Sequence, residues 1–136
     1  MTRPRPPVPN EGISEAQIER LVRGFYTRIR ADERLGPIFD QKLRGQWEPH
    51  LLRMVDFWSS LMLTTGRYSG RPLQKHLGLD MVRPEDFEIW LRLFKATALE
   101  VGGEAFAAAF MSKADRVAAS FKMAMFDELR LAPSLH

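Results

Sequence analysis

Apolar positions in this chain recur with a helical period almost from end to end, and no stretch alternates as a strand would. The first pattern opens at Ser14, with Gln17 at capping-box spacing, and its apolar face runs Ile18, Leu21, Val22, Phe25, Tyr26 and Ile29. Gly36-Pro37 is expected to interrupt that helix, leaving a short helical turn for Ile38 and Phe39 and a brief polar link from Asp40 to Gln46. A second helix is predicted from near Trp47–Pro49 to near Gly66, carrying Met54, Val55, Phe57, Trp58, Leu61 and Met62. A loop with one helical turn follows, from Arg67 to Gly78.

Pro84-Glu85-Asp86 is a strong start signal, because proline suits the first helical position and acids suit the positive end of the dipole. The helix it opens buries Phe87, Trp90, Leu91, Phe94, Ala98 and Val101 and is expected to end at Gly102-Gly103. A last helix, from about Glu104 to Leu129, carries Phe106, Phe110, Ala114, Val117, Phe121 and Met125. The pattern predicts an all-α protein with four substantial helices. It divides into a flexible N-terminal arm over residues 1–12, one domain over 13–131 and a short tail over 132–136. Four of the arm's residues are proline: Pro4, Pro6, Pro7 and Pro9.

Composition narrows the chemistry. At 136 residues, 45% hydrophobic and 27% charged, the chain has the make-up of one ordinary globule. It has no cysteine, which excludes disulfides, zinc fingers, iron–sulfur clusters and thiol nucleophiles. A net charge of +3 is too slight and too scattered to suggest nucleic acid. The start, Met1 to Asn10, has two arginines but no apolar stretch to make a secretory signal, and no apolar run approaches the ~20 residues of a membrane span. A cytoplasmic location without membrane insertion is the expectation.

Histidine is therefore the scarce resource, and one of the three, His136, is the last residue. His76 lies in a turn bounded by Pro72 and Gly78, among Leu73, Leu77 and Leu79. It reads either as a buried ligand or as a loop residue whose leucines pin the loop down. His50 shares the apolar face of the second helix with Met54, Phe57, Trp58 and Leu61, as a site residue or as a satisfied core histidine. Tyr26 and Trp90 carry polar tips on apolar faces, and ordinary core packing accounts for either one alone.

Taken together, four elements each bring one polar-tipped residue to the interior. That set matches a haem pocket, with histidine on one side of the ring and a few donors in an apolar cavity on the other. Phe25, Phe39, Met54, Phe57, Trp58, Tyr68 and Leu79 are candidates for the wall. Arg53, Arg67 and Lys75 are candidates for pairing with haem's two carboxylates, the alternative for each being a solvated surface cation.

These residues fall in an order that resembles the truncated haemoglobins, and within them the third group. The likeness spans residues 14 to about 130. It rests on Phe25-Tyr26 with Asp32-x-x-Leu-Gly-Pro-Ile-Phe39, Trp47-x-x-His50-Leu, Met54-x-x-Phe-Trp-Ser-Ser60, Gly66-Arg-Tyr-x-Gly-x-Pro72-x-x-x-His76 and Phe87-x-x-Trp90-Leu-x-Leu-Phe94. The resemblance implies a shortened globin fold, a two-over-two helical sandwich around haem b. It implies His76 as the proximal iron ligand, with Tyr26, His50 and Trp90 on the distal side. The first two truncated groups typically have Gly-Gly pairs at the corresponding corners. Here those regions hold single glycines, Gly36, Gly66 and Gly70, which agrees with the third group.

The resemblance further implies a diatomic ligand (oxygen, nitric oxide or carbon monoxide) steadied by Tyr26 and Trp90. Such an arrangement suits redox chemistry of oxygen, nitric oxide or peroxide, of the dioxygenase or peroxidase type, better than bulk transport. Sustained turnover needs a separate reductase, since the chain carries no dinucleotide-binding motif. Two other classes stand beside this one: a haem-based sensor, which would be expected to carry an output domain, and a haem-free helical interaction module.

Overall fold

The computed structural model describes residues 12–66 and 83–123. They form four helices: α1 Glu15–Ala31, α2 Leu35–Leu43, α3 Trp47–Leu63 and a long α4, Asp86–Lys122. Among the described residues there is no strand. None of these helices is long and apolar enough to cross a membrane.

Helix α1 begins as its sequence predicts. The Ser14 hydroxyl accepts from the Gln17 backbone N–H at 3.1 Å, and Ser14 N–H donates to Gln17 Oε1 at 3.0 Å, so both halves of the capping box are made. Its apolar face is buried as one stripe, from Ile18 to Ile29. Helix α1 sits at the centre of the fold and packs against each of the other three.

The break after α1 lies earlier than Gly36-Pro37. The helix ends at Ala31, and Asp32 starts the next one: its Oδ2 accepts from the N–H groups of Arg34 (2.9 Å) and Leu35 (2.8 Å). Gly36 and Pro37 then occupy the first turn of α2, where a proline removes no helical hydrogen bond. Gly36 is required there by close approach, since a Cβ would stand 2.5 Å from the Arg30 carbonyl oxygen. The short turn expected around Ile38 and Phe39 is thus a nine-residue helix, and the polar link shrinks to residues 44–46.

Helix α3 runs as predicted and stops at Thr64, which takes a left-handed conformation (φ 56°). The N-terminus of α4 is tied to α2 by Asp86, which is only 4% exposed. Arg34 donates to both of its carboxylate oxygens, at 3.0 and 3.1 Å, and the Arg83 N–H adds a third bond at 2.7 Å. The predicted boundary at Gly102-Gly103 is present as a kink within α4. Gly103 has φ 85° and ψ −170°, a conformation essentially reserved for glycine.

The core joins the α1 stripe to Leu35, Ile38 and Phe39 of α2, to Met54, Trp58 and Met62 of α3, and to Phe94, Ala98, Phe106, Phe110 and Ala114 of α4. Phe94 lies at its aromatic centre, 5.2 Å from Phe25, 5.0 Å from Trp58 and stacked on Trp90 at 5.5 Å between ring centres. The N-terminal arm, the His76 turn and the end of the last helix beyond Met123 lie outside the described residues.

Candidate functional site

Helices α1 and α3 bring two of the predicted site residues into direct contact. Tyr26 comes from the inward stripe of α1 and His50 from the first turn of α3. Their rings meet edge to face, 4.9 Å between centres and 88° between planes. Both are buried, Tyr26 at 4% and His50 at 8% exposure. Burial raises the Tyr26 phenol well above its ordinary pKa, and no hydrogen bond or neighbouring charge contributes to the shift. The group therefore stays protonated and keeps its O–H as a donor throughout the physiological range.

Further aromatic rings flank Tyr26. Phe39 of α2 stands 6.2 Å from Tyr26 and Phe25 of α1 stands 4.9 Å from it. Phe25 in turn meets Trp90 of α4 edge-on at 5.2 Å. Trp90 is thus joined to the pair through Phe25, and it is half-buried, less enclosed than its helical pattern predicts. Its turn near the start of α4 leaves the fuller burial to Phe94 and Ala98.

Along α3, His50, Met54 and Trp58 follow at one-turn intervals on the buried face, with Phe57 half-buried beside Trp58 at 5.3 Å. Arg53 is exposed on the same helix. Arg67, Tyr68, Lys75, His76 and Leu79 lie outside the described residues, and with them the predicted proximal side.

Sequence reasoning missed the part played by Trp47. At the first position of α3 it packs against Tyr26 at 6.0 Å and His50 at 6.2 Å. Its Nε1–H donates to Asp40 Oδ1 at 3.0 Å. The signals in the sequence are its place three residues before His50, on the same face of the helix, and the Trp47-x-x-His50 stretch of the family resemblance.

The donor set suits a haem pocket. Two polar-tipped rings lie against each other in an otherwise apolar, aromatic surround, and one of them is a phenol that burial keeps protonated. Among the described residues no group of three or more His, Asp or Glu side chains could hold a bare metal ion. A macrocycle bound from one side by a single histidine needs no such cluster.

A surface groove of about 730 Å³ lies elsewhere, between α1 and α4, lined among others by Glu19, Arg20, Arg23, Thr27, Arg28 and Glu100. It is open and charged. Arg28 bonds Thr97 at 2.6 Å and pairs with Glu100, and Arg23 pairs with Glu48, so two of its cations are already engaged within the fold.

No protein-family model matches the chain. Individual relatives do. It is 34% identical over 119 residues to the group 3 truncated hemoglobin ctb of Campylobacter jejuni, spanning 85% of this chain and 94% of that one. It also superposes on the crystal structure of the group III truncated hemoglobin from Campylobacter jejuni with a TM-score of 0.80 at 33% identity, covering 87% of this chain and 95% of the other. The all-helical architecture is accordingly a shortened globin fold. With a third of its residues shared across nearly the whole of a relative of the same fold, the chain belongs to the group III truncated haemoglobins.

Proposed function

We propose that this globin-type haem protein retains a diatomic ligand against Tyr26 and His50 for redox chemistry of oxygen, nitric oxide or peroxide, and not for bulk oxygen transport. The observation that carries the proposal is the buried contact between those two rings, 4.9 Å apart and supplied by different helices. Haem b, when bound, supplies the iron that captures the gas and exchanges electrons. His76 would hold it from the proximal side. Phe25, Phe39, Met54, Phe57, Trp58, Tyr68 and Leu79 would form its apolar surround, and Arg53, Arg67 and Lys75 would pair with its carboxylates.

The chain's own contribution on the distal side is hydrogen bonding and water exclusion. A diatomic ligand carrying partial negative charge would be met by the Tyr26 O–H, with the Trp90 indole N–H a second candidate donor beyond Phe25. Hydrogen bonds to charged acceptors are worth about 1.5–3 kcal/mol each, enough to turn rapid exchange into retention. The aromatic surround keeps water from competing for those donors. His50, whose ring meets Tyr26, is the side chain placed to relay a proton beside that donor. Retention beside a proton-transfer group favours turnover over delivery. A separate reductase would then supply electrons, in the cytoplasm.

The test is peroxide turnover by purified holoprotein at matched haem content. Proton transfer by a positioned side chain contributes about a hundredfold or more, so His50→Ala should lower turnover by at least that factor. Unchanged turnover in His50→Ala would remove His50 from the chemistry.

A further inference from the structure

The turn that carries His50 is not fixed by the usual device. Gln46, at the N-cap of α3, makes no side-chain capping bond. Contacts from other helices hold this turn instead. Arg23 of α1 grips Glu48 through two bonds, at 3.1 and 2.7 Å, but both side chains are more than a third exposed and the pair contributes little.

Trp47 is held on two sides. Asp40 of α2 accepts its indole N–H at 3.0 Å, and the guanidinium of Arg30, from α1, lies 4.6 Å from the centre of its ring. Arg30 Nε stands 3.4 Å from the same Asp40 oxygen. Three side chains from three helices thus close on one another, with the indole fixed at both its edge and its face. The inner side of that indole meets Tyr26 and His50, the two rings of the ligand pocket.

We infer that Asp40 is a positioning residue for the ligand pocket. With Arg30 it fixes the Trp47 indole, and Trp47 fixes how Tyr26 and His50 stand relative to each other. A carboxylate whose side chain is 46% exposed, outside the pocket, thereby sets how long a gas stays inside it. The physical basis is preorganisation: a donor already held at the right angle binds without first being ordered. The inference rests on reading Tyr26 and His50 as the ligand-facing pair.

Asp40→Ala removes the acceptor and the partner of Arg30, while Trp47→Phe keeps a ring but loses the N–H. Each should raise the oxygen release rate by about threefold, the scale of one ordinary hydrogen bond. The double variant should release no faster than the faster single, because one clasp is broken only once. Nuclear magnetic resonance of gas-free, ¹⁵N-labelled protein gives the second readout. The Trp47 indole proton should exchange slowly in the parent and faster in Asp40→Ala, and the His50 ring signals should shift in both single variants. Asp40→Asn, which retains an acceptor, should recover part of the indole protection.

An indole freed in Asp40→Ala with release rate and His50 signals unchanged would overturn the positioning role. So would an indole that exchanges freely in the parent. Tyr26→Phe separates the two levels. If it speeds release while Asp40→Ala does not, only the clasp is wrong; if Tyr26→Phe is itself silent, the ligand-facing reading fails and the clasp's role falls with it.

Discussion

Replacing Tyr26 by phenylalanine should raise the oxygen release rate by at least about tenfold, and by up to about a hundredfold, the range that follows from losing one hydrogen bond to a charged acceptor. The substitution is a clean one. Phenylalanine keeps the ring that packs on Phe25, Phe39, Trp47 and His50, so the wall of the pocket stays in place. What goes is a single O–H that burial holds protonated. Fold stability should change little, because removing a buried hydroxyl also removes its desolvation cost. Stopped-flow measurement of oxygen release checks the prediction directly. A rate equal to the parent's would show that Tyr26 is not the donor. Trp90→Phe should act in the same direction by a smaller factor, since Trp90 reaches the pair only through Phe25.

The largest effect on stability is expected at Phe94. Its ring is 1% exposed and touches Phe25 of α1, Trp58 of α3 and both Trp90 and Phe110 of α4. Phe94→Ala deletes the centre of that cluster, and truncating a buried phenylalanine costs about 3–5 kcal/mol in lost burial and residual cavity. Against a total stability of about 5–15 kcal/mol, that leaves a fold near its limit. Denaturant unfolding followed by helical circular dichroism should show the midpoint falling steeply. Leu52→Ala is the control: Leu52 is 52% exposed on the outer face of α3, and its loss should be nearly silent. Equal, small effects at both positions would show that the core is not organised around Phe94.

Much of this architecture was legible in the sequence for local reasons. The α1 capping box is written in Ser14 and Gln17, and the buried face of α3 in the one-turn spacing of His50, Met54 and Trp58. Gly102-Gly103 marked a boundary that the fold realises as a kink at Gly103 within α4.

What was not legible depends on how helices meet. The extent of α2 was hidden because Gly36-Pro37 reads as an interruption, whereas Asp32 had already ended α1 and bonded the N–H groups that open α2. The clasp on Trp47 joins residues 30, 40 and 47, which no periodicity links; only the packing of α1, α2 and α3 brings them together. The half-burial of Trp90 was equally out of reach, since helical phase assigns a face but not how much of that face a neighbour covers. Tyr26 and His50 each had a bland explanation alone, and only their grouping with Trp90 and His76, and the family resemblance, set them at one proposed site. Their direct ring contact was not legible, because it depends on how α1 packs against α3.

The central proposal, that His76 would hold haem and that Tyr26 and His50 would face the bound gas, is tested most directly by the absorption spectrum of protein purified from haem-supplied cells, in ferric, ferrous and carbon-monoxide-bound forms. The parent should show the intense haem band and shift it with each form, Tyr26→Phe should retain it, and His76→Ala should lose it. A parent without the band, or a His76→Ala variant with a band equal to the parent's, would contradict the account.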